Sequence, residues 1–177
     1  MGIGVMMKLF GSVLLMTGTS GYGFWKAACY KRRISLLEQL RQMVFLLKGQ
    51  VLYANATLEE AFEAVGKRTE GQLSRLFLYV AERIKKQQGE VFFTIWKEAV
   101  AELLADSELK AEDRQQLTAM GEHLGFLDKD MQERNLLLYL EQLDQGIREL
   151  QSHRQERCRL YTSLGVMAGM FLAILLC

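Results

Sequence analysis

Two stretches without a charged residue, Leu9 to Trp25 and Leu160 to Cys177, close the ends of this chain, and each carries its basic cluster on the side facing the middle. Lys26, Lys31, Arg32 and Arg33 follow the first; Arg148, Arg154, Arg157 and Arg159 precede the second. Lys and Arg collect on the cytoplasmic flank of membrane segments, so both ends predict one topology. Residues 1–25 and 160–177 are expected to be transmembrane helices, with residues 26–159 between them in the cytoplasm.

The middle has room for a single domain. It is rich in Glu, Gln, Leu, Lys, Arg and Ala, and the whole sequence contains no proline. These are strong helix formers, so the expected class is all-α. The net charge of +1 conceals an arrangement: residues 26–41 hold five basic and one acidic residue, residues 148–159 four and two, and residues 42–147 twelve and eighteen. The domain is therefore expected to be basic beside a membrane and acidic away from it, and juxtamembrane cations can meet anionic head groups. No basic face remains for a nucleic acid. Cys29, Cys158 and Cys177 have neither metal-ligand nor redox spacing and read as small apolar residues in a reducing compartment.

Leu9 to Trp25 is a marginal span for a hydrocarbon core of about 30 Å at about 1.5 Å per residue. Its Gly11, Gly18 and Gly21 form part of a small face suited to packing on another helix rather than lipid. In the second segment Gly165, Gly169 and Ala173 share one stripe in a GxxxG arrangement, which suits packing against the first segment or a second copy of the chain. A cleaved signal peptide is the competing reading of the N-terminus, although the basic cluster would then have to cross the membrane. Trp25, Tyr30 and Tyr161 fall at the expected interface.

Between the ends, apolar spacing predicts six helices. Leu37, Leu40, Val44, Leu47, Val51 and Ala54 mark a helix over 34–54. Thr57-Leu58-Glu59-Glu60 has the form of a capping box opening a short helix to about Val65, and residues 66–71 read as a turn. Leu73, Leu76, Phe77, Val80 and Ile84 mark a third helix, stopping near Gln88-Gly89. Glu90 is expected to open a fourth with Phe92, Ile95, Trp96, Ala99, Val100 and Leu103 on its apolar face. Leu117, Met120 and Leu124 mark a fifth over about 110–124. Asp128 is expected to cap a sixth carrying Leu136, Leu140, Leu143, Ile147 and Leu150, with nothing to stop it before the second apolar end. Short turns imply a compact six-helix bundle in two layers.

A search for chemistry returns little. His123 and His153 lack a metal-ligand neighbour, no phosphate-binding glycine loop is present, and no serine sits in a nucleophile elbow. The acidic pairs Glu59 with Glu60, Glu112 with Asp113, and Asp128 with Asp130 fall at helix starts, where carboxylates favour the dipole. No cofactor or metal is expected, and a protein that works by holding other proteins is.

Taken in order, several segments resemble the stage III sporulation protein AB family. They are the N-terminal segment with its basic cluster, Thr57 to Phe62, Gly89-Glu90 with Trp96-Lys97-Glu98, Gly121 to Gly125 with Asp128 and Gln132, and Ser163-Leu164-Gly165. The resemblance implies a component of the sporulation channel that joins mother cell and forespore. It also implies likeness to the platform proteins of type II secretion and type IV pilus machines, whose cytoplasmic domains are six-helix bundles. Its implied partners are a cytoplasmic secretion-type ATPase and the other membrane proteins of the channel, and Glu59, Glu60 and Glu63 on the acidic face are the candidate contacts. Two alternatives stand beside the platform: a sensor or adaptor transmitting movement through the last helix, and an exported helical protein.

Overall fold

The computed structural model describes residues 3–54, 56–86, 91–122, 124, 129–153, 159–160, 163 and 167, with side chains described from residue 21 onward except at 23 and 129. Among the described residues there are six helices: α1 (Ile3–Leu52), α2 (Leu58–Lys67), α3 (Gln72–Lys86), α4 (Phe92–Leu103), α5 (Ala111–Glu122) and α6 (Lys129–Ser152). The chain divides into two compact units, residues 1–34 with 149–177, and residues 35–148.

In the first unit the N-terminal apolar stretch is already helical, as the opening part of α1. Ala27 and Ile34 are buried there, whereas Tyr22, Phe24 and Trp25 are exposed. The Tyr30 hydroxyl donates to the Leu150 carbonyl at 2.9 Å. Among the described residues no helix is long and apolar enough to cross a membrane. Most of the second expected span, including Gly165, Gly169 and Ala173, lies outside the described residues, as do the side chains of the first up to residue 20.

In the second unit, α1 buries Leu37, Leu40, Val44, Leu47 and Val51 as the spacing predicts, and adds Met43. The helix stops at Leu52, so Ala54 is exposed rather than the last member of the apolar face. The start of α2 follows from local chemistry. Thr57 accepts the Glu60 N–H at 3.3 Å while the Glu60 carboxylate accepts the Thr57 N–H at 3.0 Å, the reciprocal pair of a capping box.

The turn after α2 differs from its expectation. Gly66 belongs to the helix and is buried, because a Cβ there would lie 2.8 Å from Leu78 Cγ on α3. Its carbonyl accepts the buried Ser74 hydroxyl at 2.7 Å, so the two helices meet backbone to side chain with no spacer between them. Gly71 is the residue that turns the chain, at a φ of 90° that disfavours any side chain.

Consecutive helices pack in chain order: α2 on α3, α3 on α4, and α4 on α5. α4 begins at Phe92 with Val91 as an N-cap that offers no side-chain bond, and Glu90 lies outside the described residues, as does Asp128 before α6. The start of α5 is capped instead by Asp113, whose carboxylate accepts the Lys110 N–H at 2.8 Å. α6 buries Leu136, Leu140, Leu143 and Ile147. Its expected continuation beyond residue 153 falls mainly outside the described residues.

The core centres on an aromatic cluster of α2, α3 and α4. Phe62 lies 4.9 Å from Phe77, 5.6 Å from Phe92 and 5.5 Å from Trp96, centroid to centroid. Trp96 is fully buried, and its indole N–H donates to the Leu117 carbonyl of α5 at 2.9 Å. The ring can approach that closely because Gly121 has no side chain: a Cβ there would fall 2.0 Å from Trp96 Cδ1. Gly121→Ala is therefore expected to destabilise by about 1–3 kcal/mol through overpacking. Gly146 of α6 has open space around it, so Gly146→Ala is expected to stabilise by about 0.5–1 kcal/mol through helix propensity. Urea midpoints of the two variants check both signs.

Candidate functional site

The acidic face carries the residues picked out as partner contacts, and each is engaged locally. Glu60 is held in the capping box of α2. Glu59 pairs with Lys85 of α3 at 3.5 Å. Glu63 accepts a bond from Lys67 one turn along, and that hydrogen bond, with the lysine charge, holds its carboxyl below the usual range. Glu82 is held down in the same way by Lys86. The lowered Glu63 and Glu82 remain ionised at neutral pH, and with the pairs of Glu59 and Glu60 the surface is a mosaic of engaged charges rather than a bare acidic patch.

Other exposed ion pairs tie the helices together. Arg41 of α1 reaches the Asp144 carboxylate of α6 with two guanidinium nitrogens, across 103 positions of sequence, and that bond raises the arginine further above its ordinary value. Arg83 of α3 meets Glu98 of α4 at 3.1 Å. Surface pairs of this kind stabilise weakly, and what they add is register between helices.

Among the described residues no group of His, Cys, Asp and Glu is placed to hold a metal. His153 is exposed in the turn after α6, and His123 lies outside the described residues. The buried polar groups serve packing: Gln132 donates to the Leu124 carbonyl at 3.0 Å, tying α6 to the end of α5. Among the described residues Tyr139 is the one with a buried side-chain polar atom that lacks a hydrogen-bond partner.

The resemblance noted in the sequence now has a physical basis at two points. Trp96 and Gly121 are a seat and its occupant, and Leu124 with Gln132 forms the buried joint between α5 and α6. A family model described as Stage III sporulation protein AB matches residues 8–177. The chain belongs to this family. It is 26% identical over 171 residues to Stage III sporulation protein AB of Bacillus subtilis (strain 168), covering 97% of this chain and 99% of that protein. A solved structure of a Stage III sporulation protein AB superposes with a TM-score of 0.65 at 22% identity, covering 71% of this chain and 98% of that one, so the helical fold is shared.

Gly21 was expected on a packing face, and a Cβ there would meet nothing within 4 Å. Beside it stands a group that residue typing alone does not reveal. Tyr22 and Trp25 lie 5.9 Å apart, exposed, with the Lys26 ammonium 5.7 Å from one ring centroid and 5.4 Å from the other. The cation is held over two rings where the apolar stretch gives way to the basic cluster.

Tyr139 provides a titration that can be read directly. Burial, with the nearby Asp113 charge as the second cause, pushes its phenol far above the ordinary 10.0. A folded-state value above the unfolded one means stability is intact below pH 10 and falls as pH rises further, because only the unfolded chain ionises there. Tyr139→Phe is expected to remove this part of the alkaline loss. At pH 7 it is expected to raise stability by about 1 kcal/mol by deleting an unpaired buried hydroxyl. Urea unfolding of both proteins at pH 7 and pH 11 checks the two effects.

Proposed function

We propose that this protein is a non-enzymatic membrane platform of the sporulation channel, a secretion-like complex between mother cell and forespore. Its helical unit would stand in the cytoplasm between transmembrane helices at residues 1–25 and 160–177. It would dock a cytoplasmic secretion-type ATPase and the membrane components around it. The observation that carries this reading is the exposed Tyr22–Trp25–Lys26 group, followed by Lys31, Arg32 and Arg33. Aromatic rings and cations at the end of an apolar helix are the usual furnishing of a membrane–water interface, with the cations on the cytoplasmic side. Family membership supports the sporulation role.

The distal acidic residues Glu59, Glu60 and Glu63 are the proposed contact for a basic patch on the ATPase, where charge complementarity would steer encounter. Because Glu60 also caps α2, its charge is best removed with a residue that keeps the cap, and Gln does so. The full chain in mild detergent is expected to co-purify with the cognate ATPase. The combination Glu59→Lys, Glu60→Gln and Glu63→Lys is expected to abolish that association while the circular dichroism stays unchanged. Undiminished co-purification by the variant would remove this surface from the reading. Thiol labelling of intact cells tests the topology: Cys29 and Cys158 should be protected from an impermeant reagent and Cys177 reactive, and the reverse pattern would overturn it.

A further inference from the structure

The inner face of α6 is packed, with Leu136, Tyr139, Leu140 and Leu143 all buried. Its outer face carries two adjacent large apolar side chains, Leu137 and Leu138, which are 44% and 50% exposed. They lie in an open groove that also includes Asp130, Glu133, Arg134 and Glu141. An isolated exposed leucine needs no explanation. A pair on one helix face, with Met131 also exposed two turns before it and charges set around it in a pattern, does.

The pattern is symmetric about the bond between the two leucines. Arg134 stands as far before that midpoint as Glu141 stands after it, and Glu133 is matched in the same way by Gln142. Reversing the helix direction exchanges the members of each pair. Two copies of α6 laid antiparallel about a two-fold axis at the midpoint would therefore bring Leu137 and Leu138 of each against the same residues of the other. The same operation places each Arg134 opposite a Glu141, about 5 Å along the helix from the axis at the usual rise. Such an isologous contact requires that a surface complement itself, and this one does in both charge and apolarity.

We propose that the outer face of α6 is the contact between two copies of this chain. Other occupants fit less well. A basic helix from another protein would bring its cations onto Arg134 at the centre of the groove, and an anionic membrane surface would meet Glu133 and Glu141. A second copy sets a carboxylate against Arg134 and a guanidinium against Glu141. One helix face buries less than the roughly 1,200 Å² of a stable protein interface. The association is thus weak in free solution and is best measured where chains are concentrated.

The test uses the full chain in lipid vesicles, with Cys29, Cys158 and Cys177 replaced by Ser and Leu138→Cys added as a reporter beside the axis. A short bismaleimide is expected to give a cross-linked dimer, and the same reporter at the exposed Glu102 of α4 is expected to give none. Arg134→Glu and Glu141→Arg are each expected to lower the dimer yield roughly ten-fold, since two symmetry-related pairs become like-charged. Combining the two substitutions regenerates both pairs with signs reversed and is expected to restore the yield to within about two-fold. Both side chains are on the surface, and unchanged circular dichroism and urea midpoints would show that each variant folds. A dimer yield no greater from Leu138→Cys than from Glu102→Cys would overturn the proposal. So would single variants that leave the yield unchanged, a double variant no better than the singles, or an Arg134→Glu variant that gains binding.

Discussion

The seat of Trp96 against α5 is the constraint around which the second unit is organised. An indole that large can be fully buried with its N–H satisfied only if a carbonyl is within reach, and a helix backbone offers one only where no side chain intervenes. Gly121 clears that space and the Leu117 carbonyl fills the donor's need. From this one position Trp96 touches Phe62 and Phe77, so the ring joins the faces of α2, α3, α4 and α5. Gly66 does a similar job between α2 and α3, where Leu78 occupies the space a side chain would need. In both places the distance between helices is set by a missing Cβ, and the apolar periodicity then fills what remains.

The surface follows a different logic. Several of its carboxylates are committed to near neighbours: Glu60 to a cap, Glu63 to Lys67, Glu59 to Lys85, Glu98 to Arg83. Each commitment is energetically small, and a partner with a better-placed cation can take the carboxylate over. A face made of such pairs offers charge without a large desolvation cost, which suits contacts that form and release. It also explains why a chain of 22 basic and 21 acidic residues need not behave as a neutral surface locally.

Most of the helical layout was legible in the sequence because it depends on local rules. Apolar spacing located the buried faces of α1, α3 and α5, and the capping box at Thr57 fixed the start of α2 to the residue. The misreadings occur where a position is decided by something distant. Gly66 looked like a turn residue because glycine ends helices, yet it is kept small by Leu78 from the next helix. Ala54 continued an apolar rhythm, but the helix had already ended at Leu52. The acidic surface was legible only as a charge balance, since which carboxylate is paired depends on what the neighbouring helix presents. The Lys26 position over Tyr22 and Trp25 was visible as three residue types and not as a group, because ring and ammonium meet through rotamers that sequence does not specify.

The order in which the helices pack also bears on how the unit comes into being. Each of α2 to α4 rests on its immediate successor, so these contacts close short loops and need little chain entropy to be lost at any one step. They can form as each helix emerges from the ribosome. The Arg41 to Asp144 pair is of the opposite kind, since it spans almost the whole unit and cannot exist until α6 has been made. Synthesis thus leaves α1 without that tie while the middle helices can already pack, and a chain stalled before α6 lacks the one link that tells a finished unit from an unfinished one.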